Sequence, residues 1–247
     1  MRPLITALGL IAAWELLVRL SGVPSYILPP PSQVAVVLVE RIDLLIEQAL
    51  WTAAEMLIGL ALGLVLGAML AIVFAASAAW RRWALPLVIV SQAIPVIAVA
   101  PLLVLWLGYG MSSKVAMAAL VIFFPVVSSL YDGLRRTDQG WLDLAHTMDA
   151  SPRAVLLQIR LPAALPAFAS GARIAAAVAP IGAVIGEWVG ASAGLGYLMT
   201  QQLARGQTPL AFAALFLLCL LGLVLYYAVD RAGRRLVPWQ HFHFQGD

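Results

Sequence analysis

The chain of 247 residues is 63% hydrophobic and only 11% charged, and its formal net charge at pH 7 is +3. Soluble domains average about 45–50% apolar and about 25% charged residues, so membrane lipid must surround most of this chain. The basic residues flank apolar segments and form no solvated basic face. They act as topology signals, which excludes nucleic acid as a partner.

Six apolar segments are long enough to cross the roughly 30 Å hydrocarbon core as helices. Each run is continuously apolar, whereas barrel strands alternate over about ten residues, so helices are predicted. The expected fold class is an all-α integral membrane protein with six transmembrane helices. The predicted spans are Leu4–Leu20, Leu50–Phe74, Trp83–Leu107, Val115–Tyr131, Ala164–Val189 and Leu210–Val229.

The first apolar run follows Arg2 and therefore also resembles a secretory signal peptide. No clear small-residue cleavage site follows it, which favours a retained span. The proline-rich run at 22–31 then prevents a continuous helix, and Ser32 is placed to cap an interfacial helix that runs to Gln48. Residues 1–49 are thus predicted to form a first span, an external Pro-rich segment and an interfacial helix.

The distribution of basic residues predicts the orientation. With the N-terminus inside, eleven of the fifteen Lys and Arg residues fall on the cytoplasmic side and four fall outside. This asymmetry agrees with the positive-inside rule. A multi-pass protein of a bacterial inner membrane is predicted, with a core at 50–235, a cytoplasmic tail at 236–247 and both termini cytoplasmic.

Polar residues within the spans are candidates for a translocation path, because burying ionisable groups in lipid is costly. Ser91 and Gln92 precede Pro95, which bends a helix and frees backbone groups. Glu55 lies in the second span. Glu187 and Trp188 begin a glycine-rich segment predicted to be broken or re-entrant. Glu187 has two interpretations here: a hydrogen-bond partner for a solute, or a structural partner for the tight loop.

Glycines at four-residue spacing mark the second span. Gly59, Gly63 and Gly67 expose one stripe of backbone along the helix. Such a stripe predicts close packing against a neighbouring helix.

The longest cytoplasmic connection, 132–161, has internal order. An apolar helix around Leu144 and Ala145 is predicted to end at Asp149, where Ser151 caps a second short helix, 153–160, that starts at Pro152. Two short helices that meet at an angle would make a projecting cytoplasmic knob.

This loop resembles the signature of type I permeases of ATP-binding-cassette (ABC) importers, which reads E-A-A, three residues, G, nine residues, I-x-L-P. The spacing is intact, with Asp143 in place of the glutamate and Leu144 and Asp149 as departures. A glycine at 149 would suit a left-handed turn, and Asp tolerates that region better than most residues. The residues predicted for ATPase coupling are Asp143, Leu144, Ala145, Asp149, Ser151, Pro152, Ile159, Leu161 and Pro162.

The whole chain is similar to the nitrate, sulfonate and taurine group of these permeases, particularly the branch of hydroxymethylpyrimidine (thiamine precursor) permeases. The resemblance implies a type I ABC permease fold that works as a homodimer with two ATPase subunits and a periplasmic or lipid-anchored substrate-binding protein. It also implies alternating access driven by ATP. No phosphate-binding G-x-x-x-x-G-K-[ST] motif occurs in the chain, so ATP hydrolysis is expected in the separate subunit and this chain is not expected to be an enzyme.

The charges within the spans bear on the substrate. Three of the four ionisable groups noted there, Glu15, Glu55 and Glu187, are acidic, while Arg173 lies near the cytoplasmic end. A sulfonate or nitrate would favour arginines, so a neutral or weakly basic nitrogen heterocycle is predicted, of the thiamine-precursor type. Sulfonate, taurine, nitrate and riboflavin transport remain alternatives within the family, and an ion-gradient secondary carrier is the alternative from another class.

No cofactor or metal is predicted. The short run HFHF at 241–244 has alternating histidines, but such aromatics in a tail favour packing against the bundle or a free tail over metal binding.

Overall fold

The computed structural model describes residues 2–239, except for the side chains of four residues near the N-terminus. That range is all helical apart from its connections. The helices are α1 (Arg2–Ser21), α2 (Pro31–Glu40), α3 (Ile42–Ala76), α4 (Ala78–Ser91), α5 (Val96–Leu107), α6 (Met111–Arg135), α7 (Gln139–Thr147), α8 (Pro152–Ala154), α9 (Leu161–Gly190), α10 (Leu195–Ala204) and α11 (Thr208–Leu236), with a π-helical stretch, Val155–Arg160, between α8 and α9.

The predicted all-α fold is confirmed. Four continuous helices in the described range are long and apolar enough to span a membrane: α3, α6, the helix Pro152–Gly190 and α11. The pair α4 and α5 makes a fifth if it counts as one span, and α1 covers the first predicted segment. The HFHF run lies outside the described residues.

The third predicted span is not continuous, which corrects the prediction of one helix over Trp83–Leu107. Between α4 and α5 the chain bends by 102°. Pro95 donates no hydrogen bond and biases Ile94 away from helical geometry, so the helix ends before it. The last N–H groups before the break bond three residues back, as that of Gln92 does to the carbonyl of Ile89 at 3.1 Å.

The predicted interfacial helix is also corrected. It ends at Glu40 rather than Gln48, and residues from Ile42 onward belong to α3. Ser32 is not the N-cap, because Pro30 holds that position. Instead, the N–H and hydroxyl of Ser32 both donate to the Glu15 carboxylate, at 3.0 and 2.9 Å, so a side chain from α1 satisfies the start of α2.

Helix α6 lies between α3 and α9, and small residues allow the close approach. A Cβ on Gly63 would lie 2.5 Å from Ile122 Cγ2, and one on Gly182 would lie 2.7 Å from the Cα of Ala118. The packing role predicted for the glycine stripe of the second span is therefore confirmed. Helices α3, α6 and α9 support the two candidate sites described next, the coupling turn and a buried carboxylate cluster.

Candidate functional site: the coupling turn and a buried carboxylate cluster

The coupling turn, residues 148–151 between α7 and α8, is closed by backbone hydrogen bonds. The N–H of Asp149 donates to the carbonyl of His146, and that of Ala150 donates to the carbonyl of Ala145, both at 3.0 Å. These two bonds form a Schellman motif, which ends a helix with one left-handed residue. Asp149 is that residue, with φ of 57°, and it is the one non-glycine residue with positive φ within 2–239. The left-handed turn expected at this position is present.

The second half of the turn starts at a side-chain cap. Ser151 Oγ accepts a hydrogen bond from the N–H of Ala154 at 3.3 Å, and Pro152 takes the first helical position, as predicted. The predicted short helix 153–160 is wrong in one respect: it continues into α9 and forms one helix of 39 residues, Pro152–Gly190. Pro162 would clash with a carbonyl one α-helical turn earlier, and the wider π turns before it accommodate the ring.

An apolar groove of about 550 Å³, called the coupling groove below, lies between α7 and the start of α9. Four of the predicted coupling residues line it: Leu144, Ala145, Ile159 and Pro162. Ala145 is buried, whereas Leu144 is 61% exposed, so α7 turns one apolar face inward and another outward. The outward face leaves apolar surface free for a partner.

The other predicted coupling residues do not line this groove. Asp143 is exposed and accepts a hydrogen bond from Gln139 Nε2 at 3.1 Å. Leu161 packs against the buried cluster that contains Leu130 and Ala164. Trp239 also lines the groove, although it was not among the residues predicted from the sequence. It is the last residue that the structure describes.

A second cluster of polar groups lies near the other end of α9. Glu187 is only 1% exposed. Its Oε1 accepts a hydrogen bond from the Thr52 hydroxyl at 2.6 Å, and its Oε2 accepts from the N–H groups of Gly196 and, at 3.2 Å, Tyr197. The carboxylate therefore sits at the N-terminus of α10, where unpaired N–H groups favour an acceptor.

Three side chains of α3 complete this carboxylate cluster. Gln48 Oε1 accepts from the N–H of Gly194 at 2.7 Å, and Thr52 Oγ1 accepts from that of Leu195 at 2.8 Å. Glu55, one helical turn further, is buried, and its Oε2 makes no hydrogen bond within the described residues.

Lys114 is a buried cation beside this cluster. It is 5% exposed, it packs against Gly186 next to Glu187, and its Nζ donates to the carbonyls of Tyr109 and Gly110 at 3.0 and 3.1 Å. The sequence interpretation missed Lys114, Gln48 and Thr52. The single lysine beside an apolar run was a usable signal.

The predicted path residues divide into two groups. Glu55 and Glu187 both lie in the carboxylate cluster, where Glu187 accepts hydrogen bonds from N–H groups of the first turn of α10. Ser91 and Gln92 lie at the bend between α4 and α5, both exposed, and the Ser91 hydroxyl donates to the Val88 carbonyl at 2.7 Å. Trp188 is 48% exposed beside the cluster.

Long apolar helices with a capped apolar turn projecting from one end define a class: helical membrane permease subunits of the type I importer architecture. The chain belongs to the family described as "Binding-protein-dependent transport system inner membrane component", which it matches over residues 63–239, more than half of its length. It is thus a multi-pass permease subunit of an ABC importer of the inner membrane, and it is not itself an enzyme. ATPase subunits and a substrate-binding protein are the general partners of this family.

Three relatives match almost the whole chain. It is 50% identical over 230 residues to a probable ABC transporter permease protein of Haemophilus influenzae, covering 93% of this chain and 94% of the relative. It is 39% identical to the formylaminopyrimidine transport permease ThiX of Halalkalibacterium halodurans, covering 97% and 96%. It is 38% identical to the riboflavin transport system permease RibX of Chloroflexus aurantiacus, covering 96% and 89%.

A solved structure has the same fold. The inward-facing MetNI methionine ABC transporter superposes with a TM-score of 0.69 at 21% identity, and the match covers 80% of this chain and 98% of that chain. The type I permease fold is therefore confirmed.

Proposed function

We propose that this permease carries a small neutral or weakly basic nitrogen heterocycle, of the pyrimidine class from which thiamine is made. The relative with formylaminopyrimidine in its name carries this proposal, because the match extends over 97% of this chain. Two buried acids, Glu55 and Glu187, outnumber the one buried base of the described spans, Lys114, and this balance favours the same class over an anion. Riboflavin, also a nitrogen heterocycle, is the second candidate, since the riboflavin permease is almost equally similar.

Uptake into proteoliposomes tests the substrate. The permease is reconstituted with its ATPase and loaded with its substrate-binding protein, and ATP-dependent uptake of hydroxymethylpyrimidine, formylaminopyrimidine, riboflavin and taurine is compared. Saturable uptake of a pyrimidine is expected. Uptake of riboflavin alone would favour the second candidate, uptake of taurine would refute the charge argument, and uptake driven by an ion gradient without ATP would refute the ABC mechanism.

The working assembly in this proposal contains two copies of the chain and two ATPase subunits. Helix α4 buries none of its residues, and Ser91 and Gln92 are exposed at a break within a span. Lipid cannot satisfy polar groups at such a break, whereas protein or a water-filled path can. This supports a second copy packed on this face, with a solute path alongside.

Disulfide cross-linking tests this arrangement. In a Cys219→Ala background, an Ile94→Cys variant is expected to form a cross-linked dimer in membranes. A Val65→Cys variant, whose side chain is 56% exposed on α3, is the control and should stay monomeric. A fully active assembly with one copy of the chain would contradict the proposal.

The same proposal places the coupling groove and both termini on the cytoplasmic side. Met148 in the coupling turn and Tyr26 before α2 are 73% and 64% exposed. In the Cys219→Ala background, a membrane-impermeant maleimide should label a Tyr26→Cys variant in intact spheroplasts but a Met148→Cys variant only after permeabilisation. The reverse pattern would refute the orientation.

A further inference from the structure

A second cavity, about 430 Å³ in volume, shares only Ala150 of the coupling turn with the coupling groove. It is enclosed by the last residues of α3, by the turn itself and by the π-helical stretch. Its polar lining is basic: His146, Arg153 and Arg160 contribute, and no Asp or Glu does. Asp149, in the adjacent turn, is not among the lining residues. We call this cavity the basic pocket.

The basic side chains of this pocket have no partner within the described range. Arg160 Nε is buried and makes no hydrogen bond there, and none of the three residues forms an ion pair. A buried donor on a charged group is costly to leave unpaired, and such a group in a native protein indicates a missing anion or water.

The depth of the pocket identifies the source of the anion. Ala75 and Ala76 line it and end α3, the most apolar of the spanning helices. Trp80 and Trp83 follow at once, 61% and 78% exposed, as aromatic side chains do at the level of lipid headgroups. On this evidence the expected level of the pocket is that of the phosphate groups of the bilayer.

We infer that the basic pocket binds the phosphate of an anionic phospholipid. Arginine presents paired donors that match phosphate oxygens, and basic pockets between helices at a membrane surface suit anionic headgroups. A volume of about 430 Å³ is within the usual range of small-ligand sites, about 300–1,000 Å³. That the lipid belongs to the cytoplasmic leaflet rests on the proposed orientation.

The α3 carboxyl end offers another reason for arginines here, since cations favour helix C-termini. However, no hydrogen bond joins Arg153 or Arg160 to the final carbonyls of α3 within residues 2–239. Because Ala150 lines the pocket, a bound lipid would contact the coupling turn itself, whose residues are predicted to couple to the ATPase.

Lipid retention by the purified chain tests the inference without ATPase or solute, so its outcome is independent of the proposed function. Native mass spectrometry compares phosphatidylglycerol with phosphatidylcholine at equal concentration. The wild-type chain should retain phosphatidylglycerol preferentially, and an Arg153→Gln/Arg160→Gln double variant should lose this preference at least about tenfold. Arg136→Gln, an exposed arginine outside the pocket, is the matched control and should behave as wild type.

Several outcomes would overturn the inference. Equal retention by the double variant, or competition by inorganic phosphate at millimolar concentration, would exclude a lipid site. Unchanged lipid retention with weakened ATPase binding would identify the arginines as a docking contact. If the double variant fails to fold, Arg153→Gln alone, at an exposed position, carries the test: an unchanged preference in that variant refutes the inference.

Discussion

The two ends of α9 satisfy their interactions in opposite ways. At the coupling turn, apolar side chains such as Leu144 and Met148 face outward, and the turn contains a left-handed aspartate. At the far end, Glu187 and Thr52 are buried, and together with Gln48 they pair with backbone N–H groups of Gly194 and α10. The end at the coupling turn leaves apolar surface exposed, and we call it the open end. The far end makes its hydrogen bonds within the chain, and we call it the closed end. Mutations should therefore affect association at the first end and folding at the second.

The largest expected effect is at the closed end. Glu187→Ala removes the acceptor for Thr52 and for two N–H groups of α10, so we expect the free energy of unfolding to fall by about 3–5 kcal/mol. Denaturant titration of the purified chain in detergent measures it. Glu55→Gln is the control, because glutamine keeps the size of the side chain and leaves the Glu187 acceptor in place, so it should cost less than about 1 kcal/mol. Equal losses in both variants would show that charge, rather than hydrogen bonding, holds the cluster.

Gly194→Ala should be nearly as damaging. Gly194 has φ of 114°, and a Cβ there would lie 2.3 Å from Glu187 Cδ. Backbone strain and the clash together should lower the free energy of unfolding by at least about 2 kcal/mol. At Gly206, with φ of 69° and nothing within 4 Å of an added Cβ, alanine should cost only about 1 kcal/mol. Matching losses at both positions would mean that the carboxylate does not constrain the loop.

At the open end, Leu144→Asp should weaken association with little effect on folding. The side chain is 61% exposed, so the free energy of unfolding should change by less than about 0.5 kcal/mol. Affinity for the ATPase should fall at least about tenfold, or about 1.4 kcal/mol, with a parallel loss of transport-coupled ATP hydrolysis. Leu203→Asp, 52% exposed on α10, is the control and should bind the ATPase normally. Normal binding by Leu144→Asp would remove the coupling groove from the docking surface.

The smallest effect is expected at Asp149. Glycine adopts the left-handed region without strain, so Asp149→Gly should raise the free energy of unfolding by about 0.5–1 kcal/mol. Asp149→Ala should lower it by a similar amount. Thermal unfolding of the two variants beside wild type checks the order. A lower stability for glycine than for alanine would show that the aspartate side chain, rather than the backbone, determines the turn.

The open end could be predicted from the sequence because its signals are local. Asp149, Ser151 and Pro152 lie within four positions and define a turn and a cap by residue type alone. The long spans were predictable for the same reason, since a run of about 20 apolar residues is itself the signal.

The closed end could be predicted only in part. Glu187 was expected either to hold the tight loop or to face a solute, and its partners were missed. Thr52 and Glu187 are 135 residues apart in the chain, and no periodicity relates them. The 102° bend before Pro95 was underestimated as a kink, because a proline shows where a helix ends but not the direction in which the chain continues.

The π-helical stretch Val155–Arg160 lies between the coupling turn and α9, whose far end carries Glu187 of the carboxylate cluster. A π turn contains more residues than an α turn, and one residue corresponds to a rotation of about 100° and a rise of about 1.5 Å. If the extra residue of the π turn adopts α-helical geometry, the coupling turn rotates relative to α9 while the helix stays continuous. We therefore expect the base of α9 to be the place where rotation of the coupling turn becomes a displacement along the helix axis.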